Sequence, residues 1–195
     1  MLTIRKGNHT DLNKFYNMFE IDFDSEELIS KLSLHKGMMN GSVELLIMFD
    51  DETQIEIAYA LAFKSGIYDY VLLKYFGVLP WYRGHGMGIE AMRLINKRYA
   101  DRQGIIAEIT EFDDPEPDHV KKLFRFFSRF GYVEIDSDYK IGGTKAHIFV
   151  KPIKGDWDIA PIAHRIINDH YSRCLGSREM ARLISINAVK RKTID

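Results

Sequence analysis

The sequence predicts an α/β (α+β) fold, a sheet covered by helices on its faces, with a helical appendage at its C-terminal end. Three observations predict it. Seven short apolar runs read as strands and four longer ones carry apolar residues at helical spacing. Their order is β-α-α-β-β-β-α-β-α-β-β, so strands outnumber helices and a strand-helix-strand crossover sits mid-chain. Beyond Lys154 the pattern turns helical, which divides the chain into a core, residues 1–152, and an appendage, residues 153–195.

Leu2 to Lys6 alternates apolar and polar residues, as a half-buried strand does. Thr10 or Asp11 is placed to cap a helix whose apolar face is Leu12, Phe15, Tyr16 and Phe19. Asp24 or Ser25 caps a second helix carrying Leu28, Ile29 and Leu32, and Glu27 stands at capping-box spacing from Asp24. Three strands follow, Val43 to Phe49, Gln54 to Phe63 and Tyr70 to Leu79, joined by short turns as in an antiparallel meander. Pro80 stops the third.

The next helix, Gly88 to about Ala100, buries Ala91, Met92, Ile95 and Tyr99. Ile105 to Ile109 is a short strand, and the acidic loop Asp113 to Asp118 leads into an amphipathic helix. Its apolar side is Leu123, Phe126, Phe127 and Phe130, and Gly131 ends it. Tyr132 to Ile135 and Ala146 to Val150 are strands flanking a turn at Gly142-Gly143. In the appendage, a helix from Ile159 to Tyr171 carries an aliphatic stripe that must bury against its own core or against a second copy in a homodimer.

Composition narrows the function classes. With 195 residues, 46% of them hydrophobic, the chain can build a full core. A net charge of -1 lacks the basic surplus of a general nucleic-acid binder. The longest apolar runs are strand-sized, so no membrane partner is expected. The charged start Met1 to Gly7 argues against a signal peptide. One cysteine, Cys174, permits neither an internal disulfide nor a Cys-based zinc cluster. The expectation is a soluble cytoplasmic protein without a metal.

The chemistry-bearing segment is a strand, then Arg83-Gly84-His85-Gly86-Met87-Gly88, then a helix. Alternate glycines let the backbone approach a ligand, and the following helix adds unpaired N-H donors and the positive end of its dipole. That is a pyrophosphate site, with Arg83 as a charge-assisted donor. Ile89 stands where a dinucleotide fingerprint needs its third glycine, and no Gly-Lys-Ser or Gly-Lys-Thr of a P-loop occurs.

With Val78-Leu79-Pro80 before the loop and Phe130-Gly131-Tyr132 after the aromatic helix, the stretch resembles the acetyl-CoA motif of the GNAT superfamily of N-acetyltransferases. Arg83, Gly86 and Gly88 match that motif, and the element order over residues 1–152 is similar to the family's. The resemblance implies a mixed, mostly antiparallel central sheet and acetyl-CoA as cosubstrate. It implies that Phe76, Gly77 and Val78 offer main-chain groups to pantetheine while Arg83, Gly84, His85, Gly86, Met87 and Gly88 hold the pyrophosphate. His85 contributes only its backbone.

It further implies direct attack of an acceptor amine on the thioester, with the Val78 N-H as oxyanion donor and Glu108 as general base. Period-two alternation puts Glu108 on the face of Ile106 and Thr110. Glu111, at the strand's end, is a second candidate. The family's general-acid tyrosine is replaced here by Phe127, with Tyr75, Tyr132 and Tyr139 as substitutes. That replacement keeps a CoA-binding regulatory module, without turnover, as the alternative to an enzyme. Acceptor selectivity in the family resides in segments matching Asp22 to Asn40 and Asp136 to Thr144. His164, His170, Cys174 and the basic run Lys190 to Lys192 carry no catalytic pattern of their own.

Overall fold

The computed structural model describes residues 1–111, 118–155 and 159–186. The greater part of the acidic loop, 113–117, and the basic run Lys190 to Lys192 lie outside them. One eight-stranded sheet runs through the molecule in the order β1-β2-β3-β4-β5-β7-β6-β8. The strands are β1 (Leu2–Lys6), β2 (Val43–Asp50), β3 (Glu56–Lys64), β4 (Tyr70–Val78), β5 (Gly104–Thr110), β6 (Val133–Ile141), β7 (Thr144–Pro152) and β8 (Ile184–Ile186). Every pairing is antiparallel except β4 with β5, the two strands joined by the crossover helix.

Helices cover both faces. On one, α1 (His9–Asp22), α2 (Lys31–Met39), α5 (Ala163–Ser172) and α6 (Ser177–Leu183) close a core that includes Phe15, Phe19, Leu61, Ile106 and Tyr171. On the other, α3 (Met87–Arg98) and α4 (His119–Arg129) pack over Leu46, Ala60, Leu73, Ile105 and Ala107. Because the central strands are buried on both sides, β2, β3 and β4 read as nearly continuous apolar runs.

Several local expectations are corrected. Asn8, not Thr10 or Asp11, caps α1: its side chain accepts from the N-H groups of Thr10 and Asp11, and Asp11 returns a bond to the Asn8 N-H. Asp24 caps only the 3-10 turn Ser25–Glu27, and α2 begins at Lys31 under a Ser30 cap. The reason is tertiary. The Tyr75 hydroxyl donates to the Glu27 carbonyl and accepts from the Ile29 N-H, so this backbone bonds to the sheet instead of continuing a helix. Leu32, expected on the buried face, is 80% exposed. Strand β6 extends well past Ile135, and α5 begins at Ala163 rather than Ile159.

The appendage is not wholly helical. Its β8 adds a strand to the sheet, pairing Ile184 to Ile186 with Ile141 to Tyr139. Ile159, Ala163, Ile166, Ile167 and Tyr171 are buried within the chain's own core, while Ile162, expected in the same stripe, is 37% exposed. His170 bonds through its ring nitrogens to the carbonyls of Tyr70 and Ile166. Farther along, Glu179 accepts from the Ser30 N-H, and Arg182 donates to the carbonyls of Glu26 and Leu28. The Gly142 N-H donates to Leu183. Residues 177–186 therefore strap together the α1–α2 connection and the β6–β7 hairpin.

Candidate functional site

Strands β4 and β5 are paired over Tyr70 to Leu73 and Gly104 to Ala107, and there the ladder ends. Beyond it β4 stays bonded to β3 and β5 to β7, so the sheet splits between them. Exposure rises along β4 where the split opens, and Phe76, Gly77 and Val78 are all partly exposed. Main chain on this edge of β4 is thus offered to a ligand in extended form, as a missing strand would receive it.

A bulge shapes the base of the split. In the β3–β4 register Leu61 faces Tyr75 while Ala62 faces Leu73, which leaves Lys74 as an extra residue. The extra residue puts Lys74 and Tyr75 on the same face. Both side chains are buried there, on the side of α1, α2 and α5.

Past the open end of β4 the chain makes a 3-10 turn, Pro80–Tyr82, and enters the glycine loop. Gly84 and Gly86 have φ of +80° and +78°, a conformation costly for any residue with a Cβ. Nothing lies within 4 Å of where a Cβ would stand on either, so their exposed faces are open. Gly86 is the N-cap of α3, and the first N-H groups of that helix have no partner within it. Gly88 lies beside Val78 and Phe126, and Phe126 stacks on Phe76 with ring centroids 5.9 Å apart. The loop, the end of β4 and helix α4 therefore converge at the mouth of the split. An open anion cradle beside exposed strand edges fits a pyrophosphate with an extended arm.

Arg83 is not idle in this arrangement. Its Nε donates to the Val78 carbonyl at 2.8 Å and an Nη donates to Asp22 at 2.6 Å. The other Asp22 oxygen accepts from the Tyr59 hydroxyl at 2.7 Å. The C-terminal end of α1 is thereby fastened to the start of the loop. His85 is exposed, and Met87 is the first residue of α3.

Glu108 lies on the face of Ile106, as alternation predicts, but its side chain is only 1% exposed. Since the residue as a whole is partly exposed, it is the backbone of Glu108 that faces the split. One carboxylate oxygen accepts from the Tyr139 hydroxyl at 2.6 Å; the other accepts from Tyr171 at 2.6 Å and from Lys74 at 3.4 Å. Lys74 also stands 3.6 Å from Glu27, whose carboxyl is raised above its usual range by burial, against the pull of Lys74. Burial, with the charge of Glu108 adding to it, pushes the phenols of Tyr139 and Tyr171 well above their ordinary range.

The structure separates the other candidates. Glu111 points to the surface, bonded to Lys145 and His147. Phe127 is buried against Tyr132 and Phe149 on the α3–α4 side. Tyr132 donates to Asn96 within that same layer, and Tyr75 is committed to Glu27 and Ile29. Of the proposed substitutes only Tyr139 reaches Glu108. Among the described residues no cluster of His, Cys, Asp and Glu could hold a metal. Lys74, Tyr171 and the Asp22 clamp went unread in the sequence. For Lys74 there was a signal, a single charge inside the apolar run Tyr70 to Val78; Tyr171 gave none.

No protein-family model matches the sequence, and no curated protein sequence matches it. Solved structures do match. A GNAT-family protein from Bacteroides thetaiotaomicron superposes with a TM-score of 0.65 at 17% identity, over 84% of this chain and 93% of that one. NAA60 from Arabidopsis thaliana, solved with a bisubstrate analogue, gives 0.60 at 17% identity over 80% and 100%. The ribosomal-protein-S18-alanine N-acetyltransferase of Escherichia coli gives 0.57 at 15% identity over 82% and 98%. This chain has the GNAT fold. Among the described residues, α5 and α6 lie over one face of the sheet and β8 extends its edge.

Proposed function

We propose that the protein is an acetyl-CoA-dependent N-acetyltransferase acting on a primary amine. The observation that carries this reading is the conjunction at one point of an open glycine cradle at the start of α3 and a split between β4 and β5. Acetyl-CoA supplies an activated acetyl thioester when bound. Phe76, Gly77 and Val78 bind its arm through their main chain, and the Arg83 to Gly88 loop takes the pyrophosphate. The Val78 N-H donates to the oxygen that becomes negative as the amine adds to the carbonyl. Holding amine and carbonyl in line contributes several kcal/mol. Glu108 receives the amine's proton, and departure of the thiolate is assisted by water, since Phe127 offers no acid.

The S18-alanine enzyme and the spermidine/spermine N-acetyltransferase SpeG from Vibrio cholerae, 14% identical with a TM-score of 0.57, frame the acceptor classes to try. No helix among the described residues is long and apolar enough to cross a membrane, and Cys174 is buried as a free thiol. The free thiol suits a reducing cytoplasmic setting. The competing reading is a CoA-responsive module without turnover; the closed environment of Glu108 and the loss of a hydroxyl at Phe127 favour it.

Thiol release from acetyl-CoA separates the two readings, measured with spermidine, an alanine-terminated peptide and a panel of other small primary amines. Amine-dependent release is expected. CoA binding without release for any amine would give the regulatory reading the ground.

A further inference from the structure

The ladder between β3 and β4 fixes which way the last peptides of β4 point. Tyr59 faces Gly77 and Ala58 faces Val78, and the Leu79 N-H donates to the Ile57 carbonyl. In an antiparallel pair bonded residues alternate, so Gly77 and Leu79 turn their groups toward β3. Val78, between them, turns both its N-H and its C=O away from β3 and into the split. Arg83 Nε takes that carbonyl at 2.8 Å, leaving the N-H of the same residue to face a ligand. The guanidinium that makes this bond is itself committed. One Nη donates to Asp22 at 2.6 Å, and the Tyr59 hydroxyl holds the other Asp22 oxygen at 2.7 Å. The Asp22 side chain is only 10% exposed, so the pair is anchored in α1 and not adrift in solvent. A carboxylate in contact with the guanidinium offsets its charge and repels an approaching phosphate.

We propose that the Arg83 side chain is a positioning group for the Val78 N-H, anchored by Asp22, and not a ligand of the pyrophosphate. The proposal rests on the acetyl-transfer reading above and deepens it. The phosphates are left to the backbone N-H groups of the loop and of the first turn of α3, where Gly84 and Gly86 keep the approach open. Val78 is the last residue of β4, and the pairing with β5 has already ended at Leu73, so within the sheet β3 alone holds it. Arg83 supplies the hold on the split side. It grips the carbonyl of the residue whose N-H meets the forming oxyanion, and Asp22 fixes the grip. A misplacement of about 1 Å in an active site lowers a rate by on the order of 10²-fold. Because Arg83 acts through Val78, its loss falls more heavily on turnover than on retention of the cosubstrate.

The test compares Arg83→Lys, Arg83→Gln and Asp22→Asn in the full chain, with acetyl-CoA and with acetyl-pantetheine, which carries no phosphate. Each variant is expected to lower kcat by about 10²-fold with acetyl-CoA and by the same factor with acetyl-pantetheine. Affinity for CoA is expected to fall by no more than about tenfold. A phosphate ligand would behave otherwise. Arg83→Lys would keep the charge and most of the function, and Arg83→Gln would harm the reaction of acetyl-CoA alone. Asp22→Asn would free the guanidinium and tighten CoA binding. Parental kcat in Arg83→Gln, a loss confined to acetyl-CoA, or tighter CoA binding in Asp22→Asn would each overturn the proposal. Absence of amine-dependent thiol release from the parent would instead overturn the acetyl-transfer reading. In that event the CoA titration of Asp22→Asn still sets Arg83 against the phosphate without turnover.

Discussion

The ring of Tyr59 fills the space that a side chain at Gly77 would need: a Cβ there would lie 2.5 Å from both Cζ and Oη of Tyr59. Position 77 is glycine because of that ring, since its backbone is not in the left-handed region. The same ring carries the hydroxyl that holds Asp22, which holds Arg83 against the Val78 carbonyl. One missing side chain thus allows the clamp between α1 and the cradle.

Gly77→Ala is therefore expected to push Tyr59 aside and loosen Arg83. Overpacking of this kind costs about 1–3 kcal/mol, and CoA affinity should fall about tenfold with it. Calorimetric titration with CoA beside a melting curve checks this. Parental values for both would mean that Tyr59 moves freely and the clamp does not depend on it.

Gly86 asks for a different pair of substitutions. Its φ of +78° makes any Cβ costly, by about 1–2 kcal/mol, so Gly86→Ala should lower stability modestly. Gly86→Glu adds bulk and a negative charge at the N-cap of α3, and should abolish CoA binding altogether. A CoA-induced thermal shift as large as the parent's in Gly86→Glu would place the pyrophosphate elsewhere.

Glu44, 3% exposed on β2, predicts a pH dependence. Burial pushes its carboxyl up, but hydrogen bonds from Arg98 and Tyr99 and the charge of Lys64 outweigh it and bring it to about 2. A depressed carboxylate stabilises the fold above its unfolded value, and that stability is lost as pH falls toward the folded one. Glu44→Gln should cost on the order of 2–3 kcal/mol at pH 7, and the gap to the parent should close between about pH 4.5 and pH 2. Denaturant melts across that window measure it. A gap independent of pH would show that packing, not charge, is what Glu44 supplies.

Truncation after Lys154 should give an unstable or aggregating protein. It strips Ile166, Ile167, Tyr171 and Leu183 from the sheet, all fully buried, and each aliphatic burial contributes about 1.5–3 kcal/mol. It also uncovers the Glu108–Lys74 pair and exposes the edge of β6. A soluble truncated chain with the parental melting temperature would show that the appendage is dispensable.

What the sequence determined by itself was everything that local chemistry dictates. Strand and helix periods set the core's element order, and Arg83 to Gly88 announced a cradle because glycine spacing and a following helix are properties of adjacent residues. Alternation alone put Glu108 on the face of Ile106. Tertiary structure decided the rest. Asp24 lost its helix because Tyr75 bonds the backbone on either side of Leu28, and that partner lies 46 residues from Ile29. A bulge turned Lys74 inward, and a bulge is set by the pairing partner, here β3. Tyr171 came to Glu108 from 63 residues away, and β8 is a strand only because β6 offers an edge for it to pair with. Periodicity records which face of an element is buried but not what it is buried against. The identity of the groups around Glu108 is a property of the assembled sheet, and no local pattern could carry it.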